Sequence, residues 1–274
     1  MPELPEVETI ARELREGSEK RGSSVLGRTI VGALIRWPRH LARLTPQAFR
    51  RRILGQRIQG VRRRGKFLLC DLTRGTLLVH LGMSGDLRVS LPGEAADPHD
   101  HTRFLFEDGS ELRFNDTRKF GRVYLVASPE EVIGRLGPEP LAPRFTAEKL
   151  GAMLAARRRQ LKPLLLDQSF LAGVGNIYAD EALHRARLHP LRRSNTLTRR
   201  EISRLYRGIR DALRRGIRLD GASIDWVYRG GGMQAEFRVY DREGQPCPRC
   251  GALIQKMLVG QRGTHFCPQC QRLK

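Results

Sequence analysis

Four cysteines near the C-terminal end constrain this chain most. Cys247-Pro-Arg-Cys250 and Cys267-Pro-Gln-Cys270 stand 16 residues apart. Two C-x2-C pairs at that distance match the tetrahedral sulfur shell of zinc. The protein would fill all four ligand positions, so one Zn2+ is expected on Cys247, Cys250, Cys267 and Cys270, structural rather than catalytic. A redox dithiol pair is the alternative. Between the two pairs lies Val259-Gly-Gln-Arg-Gly-Thr-His-Phe266. On a zinc-stapled hairpin it presents Arg262 at a turn between glycines. An arginine held there suits a phosphate contact, or it is simply an exposed turn residue.

The charge balance narrows the partner. Fifty Lys and Arg against 29 Asp and Glu give a net charge of +21 and a pI near 11.0. A chain this basic points to a polyanion, with nucleic acid first. No apolar run approaches the roughly 20 residues that span a bilayer. Residues 2–16 read as an acidic helix and not as a signal peptide, so the expected place is the cytoplasm, with no membrane partner. There the cysteines are thiols or metal ligands and not a disulfide framework. Cys70, on a predicted strand, reads as a core thiol.

The chain changes character midway. Short strands are predicted over 28–37, 57–73, 76–91, 102–107, 111–115 and 122–127, with a hairpin turn at Glu107-Asp-Gly-Ser110. Many short strands with turn signals indicate a sandwich or barrel. Gly137-Pro-Glu-Pro-Leu-Ala-Pro143 then breaks the pattern and marks a linker. Beyond it the chain is mainly helical. Thr198 and Glu201 form a capping-box start, and Ile202, Leu205, Ile209, Leu213 and Ile217 make the apolar stripe of one long helix. Its other face, rich in arginine, reads as solvated. The fold class is therefore α+β in two parts, strands first and helices second.

The first residues, Met1-Pro2-Glu3-Leu4-Pro5-Glu6, hold the most reactive chemistry. Pro2 is small, so removal of the initiator Met is expected, leaving a free proline nitrogen. An α-amino group titrates at roughly 7.7–8.0 and can act as a nucleophile near neutral pH. Amines attack electrophilic carbons to form Schiff bases, and a neighbouring carboxylic acid can protonate a leaving group. Glu3 and Glu6 supply such acids. Alternatively, Pro5 opens a helix with stripe Val7, Ile10, Ala11, Leu14, and the acids only complement its dipole.

Other stretches are weaker singly. Only seven of the fifty basic residues are lysines, which marks Lys66 in Arg62-Arg-Arg-Gly-Lys66, because a lysine can titrate where arginine does not. Leu81-Gly-Met83-Ser-Gly85 and Thr117-Arg118-Lys-Phe120-Gly121 place Met83 and Phe120 where they could wedge between bases or pack in a core. Gly173-Val-Gly-Asn176 could offer amides and Asn176 to a phosphate at a helix N-terminus.

Together these residues resemble the formamidopyrimidine-DNA glycosylase family, bacterial enzymes that excise oxidised purines. The resemblance rests on PELPEVET, RRGKFLL, HLGMSG, HDH, DTRKFG, LGPEPL, LKPLLLDQ, GVGNIYADE and RGTHFCPQCQ, in order along essentially the whole chain. It implies a catalytic β-sandwich domain with an N-terminal helix over 1–134, a linker over 135–145, a helix-two-turn-helix domain over 146–240 with a lesion loop near 222–237, and a zinc finger over 241–274. It further implies that double-stranded DNA with oxidised bases or abasic sites binds between the two domains, and that the protein is a monomer at the nucleoid. Pro2 would attack the sugar C1′, with Glu3 as acid–base partner and Glu6 in support. Lys66 and Arg262 would serve phosphates and elimination. Met83, Arg118 and Phe120 would fill the gap left by the flipped base, and His99, Arg158, Lys162 and Asn176 would contact phosphates. The reaction implied is base excision followed by β- and δ-elimination.

One stretch departs from the family. Ser223 to Tyr240 is short and carries Gly230-Gly-Gly-Met233, which leaves lesion ranking and the residue touching the flipped base open. A sibling resembling endonuclease VIII, preferring oxidised pyrimidines, is opposed by the PELPEVE start and the Met83, Arg118, Phe120 set. A non-catalytic DNA-binding module is opposed by Pro2, Glu3 and Lys66.

Overall fold

The computed structural model describes residues 1–223 and 230–273. The chain forms two compact units, one of residues 1–135 with 220–231 and the other of 136–219 with 232–274.

The first unit opens with α1 (Leu4–Glu16), whose stripe Val7, Ile10, Ala11 and Leu14 is fully buried. Eight antiparallel strands follow: β1 (Thr29–Ile35), β2 (Gln56–Arg64), β3 (Phe67–Leu72), β4 (Thr76–His80), β5 (Gly85–Ser90), β6 (Asp100–Phe106), β7 (Glu111–Asp116) and β8 (Arg122–Val126). Their order is β5-β7-β6-β1-β2-β3-β4-β8. The pairing of β1 with β2 spans only Thr29↔Arg57 and Ile30↔Gln56. The sheet is thus two four-stranded leaves joined at one corner. One core cluster draws Phe104, Leu112 and Phe114 from one leaf and Leu68, Leu77 and Val79 from the other. Each such side chain contributes about 1.5–3 kcal/mol by leaving water. Helix α2 (Pro46–Ile53) adds Phe49 and Ile53 to this core, and α3 (Glu130–Ile133) ends the unit's main run.

Two expected strands are each divided. The run 57–73 is a hairpin, β2 and β3, turning at Gly65 and Lys66 with Gly65 at φ 58. The run 76–91 breaks into β4 and β5 around Leu81–Ser84. At the first break the run Arg62-Arg-Arg-Gly-Lys66 carries no alternation, and Gly65 is the turn signal; at the second, Leu81, Met83 and Leu87 keep alternating, so periodicity alone does not reveal that one.

In the second unit, α4 (Ala147–Ala155), α5 (Leu161–Leu166), α6 (Asn176–Ala186) and α7 (Arg199–Arg218) precede a hairpin of β9 (Gln255–Val259) and β10 (Arg262–Phe266). The predicted Thr198/Glu201 capping box forms, and Leu205, Ile209 and Leu213 are buried. Gln168 laces the α5–α6 turn, donating to the carbonyls of Leu166 and Val174 and accepting from Gly173 N–H.

Glu181 ties α6 to the segment leading into the zinc finger. Its buried Oε1 accepts from the N–H groups of Arg238, Val239 and Tyr240 at 2.8, 2.9 and 3.2 Å. Burial pushes this carboxyl up from its ordinary range, and the three amides oppose that shift. Glu181→Ala strands three donors and is expected to cost about 2–5 kcal/mol in urea unfolding, whereas Glu181→Gln, which keeps an acceptor, costs less. Equal losses from both variants would contradict this reading.

Candidate active site and zinc centre

The N-terminal residues are held more tightly than a chain end usually is. Pro2 is buried, and Glu3 and Glu6 are each 2% exposed, while Met1 is 41% exposed. Glu3 is the N-cap of α1 and Glu6 its third residue, joined in a reciprocal capping box. Glu6 Oε2 accepts from Glu3 N–H at 2.8 Å, and its other oxygen, Oε1, accepts from Ala222 N–H at 2.8 Å. Glu6 therefore spans the helix start and the base of the 220–231 segment. Gly221 permits this. It sits at φ +82, and a Cβ there would lie 2.7 Å from the Glu6 carboxylate. Arg12 pairs with Asp220 at 2.6 Å, and Lys20 donates to Gly230 O at 3.1 Å. The expected lesion loop near 222–237 lies partly outside the described residues, at 224–229.

Lys66 is only 6% exposed, on the β2–β3 turn. Arg63 on the same hairpin bonds Glu8 of α1 at 2.7 Å, which fixes the hairpin against the helix. His80 pairs with Phe67 across β3 and β4, and its Nδ1 accepts from Gly82 N–H at 3.2 Å. Burial, then the charges of Lys66 and Arg122, bring His80 down to about 4. Its imidazole is therefore neutral at physiological pH, with Nδ1 unprotonated to accept from the loop that carries Met83.

That loop meets the one bearing Arg118 and Phe120. Gly82 has φ +66, and a Cβ on it would lie 2.6 Å from the Phe120 carbonyl carbon. Phe120 is 53% exposed, and the Arg118 guanidinium sits over its ring at 5.5 Å. His99 precedes β6, half-buried, with its ring against His101. These four residues, Met83, His99, Arg118 and Phe120, belong to the first unit together with Pro2, Glu3, Glu6 and Lys66.

The remaining expected residues lie in the second unit. Asn176 begins α6, and its Nδ2 donates to Gly263 O at 3.0 Å, next to exposed Arg262. Arg262 opens β10 after a two-residue turn, Gly260 and Gln261, both at positive φ, the geometry of a tight hairpin turn. Arg158 is exposed between α4 and α5. Lys162 is fully buried. Its ammonium donates to Asp180 Oδ1 at 2.6 Å and Asn176 O at 2.8 Å, and Asp180 Oδ2 accepts from His265 N–H at 2.9 Å. Its bonds are thus to the Asn176 turn and, through Asp180, to β10. Sequence reasoning missed Asp180, His80 and Ala222, because each matters only through partners distant in the chain.

The four expected zinc ligands converge. Sγ–Sγ distances are 3.4 Å for Cys250–Cys270, 3.5 Å for Cys250–Cys267 and 4.0 Å for Cys247–Cys270. A tetrahedron of Zn–S bonds near 2.3 Å requires about 3.8 Å between sulfurs, so the donor set fits zinc. Among the described residues it is the one cluster of potential ligands of this kind. Burial, then the sulfurs of Cys250 and Cys267, push the Cys270 thiol up to about 12. A dication is the counter-charge that lets such thiols ionise.

Comparison with known proteins agrees with this geometry. Family profiles match over residues 1–123 (formamidopyrimidine-DNA glycosylase N-terminal domain), 136–227 (formamidopyrimidine-DNA glycosylase H2TH domain) and 244–273 (zinc finger found in FPG and IleRS). The formamidopyrimidine-DNA glycosylase of Protochlamydia amoebophila is 45% identical, covering 99% of this chain and 100% of its own. The chain belongs to the formamidopyrimidine-DNA glycosylase family. That of Geobacillus kaustophilus is 41% identical over the same shares. A structure of MutM with DNA containing carbocyclic 8-oxo-G superposes with a TM-score of 0.90 at 37% identity, covering 99% of this chain and all of that one. Lactococcus lactis Fpg with abasic-site DNA also gives 0.90, at 36% identity, covering 98% and 99%. As in the family's zinc finger, the four cysteines form a structural zinc site. No described helix is long and apolar enough to cross a membrane.

Two outcomes are expected. Cys247→Ser should lose zinc and, with it, DNA binding, because binding a structural zinc is part of the folding energy. Metal content and duplex binding measure this, and a chelator-stripped protein that bound abasic duplex normally would contradict it. His80 should titrate by NMR near 4 and not at its usual 6.5. Its contribution to stability is complete above 6.5 and is lost as pH falls through about 4, since only the unfolded chain takes the proton across that window. Lys66→Gln should move the midpoint upward. An unmoved midpoint would mean that Lys66 does not act on the ring.

Proposed function

We propose that this protein is a bifunctional DNA glycosylase and abasic-site lyase that removes 8-oxoguanine and formamidopyrimidines from duplex DNA. The observation that carries this reading is the buried terminus, where Pro2 directly precedes the buried capping pair Glu3 and Glu6, within a family whose members are DNA glycosylases. Once the exposed Met1 is removed, the Pro2 nitrogen is a free secondary amine. It attacks C1′, and the glycosidic C–N bond breaks as the base leaves with a proton supplied through Glu3. The sugar ring opens to an iminium on Pro2. Loss of a C2′ proton expels the 3′ phosphate, a second elimination expels the 5′ phosphate, and hydrolysis frees Pro2.

In this reading Glu6 supports Glu3 by fixing its backbone. Lys66 and Arg262 serve the phosphates and the elimination steps. Met83, Arg118 and Phe120 occupy the space of the flipped base. His99, Arg158 and Asn176 meet phosphates. Lys162, with its ammonium bonded to Asp180 and the Asn176 carbonyl, acts by holding Asn176 and β10 in place. The catalytic sandwich over 1–134, the linker over 135–145, the helix-two-turn-helix region over 146–240 and the zinc finger over 241–274 remain our division of the chain. The protein acts as a monomer on nucleoid DNA in the cytoplasm.

Borohydride trapping tests the chemistry. The native protein should crosslink to a duplex bearing 8-oxoguanine opposite cytosine, more readily than to one bearing oxidised thymine. An N-terminal extension makes the Pro2 nitrogen an amide and should abolish trapping. Glu3→Gln should fail to excise the base yet still cut a preformed abasic site. Full trapping by an unprocessed, extended protein would make an internal lysine the nucleophile, with Lys66 first to test. Preference for oxidised thymine would favour the endonuclease VIII-like reading.

A further inference from the structure

Asp116 ends β7 at zero exposure. Its carboxylate reaches two other segments. Oδ1 accepts from Ser84 Oγ at 2.6 Å, and Oδ2 accepts from Gly121 N–H at 2.7 Å. Ser84 Oγ in turn accepts from Arg118 N–H at 3.0 Å. The backbone of Asp116 is used as well. Its N–H donates to His99 O at 3.0 Å, and its carbonyl accepts from Lys119 N–H at 3.2 Å. His40, also at zero exposure, places Nε2 3.4 Å from Oδ2, while its Nδ1 lies 3.3 Å from Thr102 Oγ1. Burial pulls this carboxyl up, but His40, Ser84 and the Gly121 amide more than offset it, and the group stays below the usual carboxylate range. It is a charged acceptor for the loops around it.

We propose that Asp116, through Ser84, is a positioning residue that sets the loop tips carrying Met83, Arg118 and Phe120, and the segment carrying His99, in one fixed arrangement for the duplex. Position-specific wedges need this. Arg118 and Phe120 project from the surface, so their own packing cannot fix them, and the tips are located by the amides of residues 118 and 121 beneath them. A carboxylate accepting charge-assisted bonds is stronger than a neutral acceptor. Burial keeps it from being screened by the salt and phosphate that surround a DNA-binding face. The proposal rests on the reading of these tips as the DNA-facing set. The preserved shape of the loops then governs lesion excision and base-opposite discrimination, while chemistry at Pro2 on a substrate that needs no flipping is spared.

The test uses the full chain in two variants. Ser84→Ala removes the link to Arg118 and leaves Asp116 in place. Asp116→Asn keeps the shape but cannot accept from both Ser84 and Gly121. In both, amide hydrogen exchange at Arg118 should quicken at least about tenfold, the scale of one lost buried hydrogen bond, while β6 and β7 amides change less than about twofold. Excision of 8-oxoguanine from duplex should fall about tenfold, and discrimination between cytosine and adenine opposite the lesion should narrow. Borohydride trapping on a single-stranded abasic site should stay within about twofold of native, a split that a general loss of structure would not give. Unchanged exchange at Arg118, or equal quickening throughout the strands, overturns the proposal. Phe120→Ala separates the two ways of failing. If it leaves duplex excision at the native rate, the reading of the tips falls and the proposal with it. If it lowers excision while Ser84→Ala and Asp116→Asn do not, the reading stands and the proposal alone is overturned. Should Asp116→Asn fail to fold, Ser84→Ala decides.

Discussion

The site depends on one carboxylate with two main-chain donors. Glu6 accepts from Glu3 N–H with one oxygen and from Ala222 N–H with the other, each at 2.8 Å. The first bond fixes the N-cap, and so the direction of the chain just ahead of it, where Pro2 lies. The second fixes the base of a segment 216 residues away in sequence. A chain end would ordinarily fray. Here the end is a helix cap whose partners are themselves buried. The capping box and the acid pair are thus one structure with two uses. The structural reading of PELPE does not compete with the proposed catalytic one, because a capping carboxylate and a working carboxylate would require the same placement.

Much of this was legible in the sequence, and the physical reason differs by element. The zinc ligands could be read because metal coordination restricts spacing so severely. Helices α1 and α7 could be read because each packs one face on a core, and the 3.6-residue stripe survives in the sequence. The strand break at Leu81–Ser84 could not, since Leu81, Met83 and Leu87 keep alternating through it and only the partner strand shows where pairing stops; the break at Gly65–Lys66 is marked only by one glycine inside a basic run. The expectation that Lys162 faces phosphate comes from the family resemblance and not from any local pattern. The burial of Lys162 against Asp180 depends on α6 and β10, which no local pattern specifies. Asp116 and Ser84 stood in plain view within quoted motifs, but their roles arise from contacts between loops 32 residues apart.

These cases share a device. The chain has 29 acidic residues for 50 basic ones, and several of its acids are spent inside. Glu6, Asp116, Asp180 and Glu181 are 0–2% exposed, and each accepts from at least one main-chain N–H. An acid set on the surface beside the arginines would pair with them and cancel the field that attracts phosphate. Such exposed pairs also contribute little to stability, about 0–1 kcal/mol each. An acid placed inside against amides does neither. It anchors a loop through bonds that salt screens much less, and it leaves cations such as Arg118, Arg158 and Arg262 exposed. The high net charge and the buried carboxylates are therefore two sides of one solution. The surface keeps its excess of cations, and loops such as those bearing Arg118 and Phe120 are held from within by buried acids.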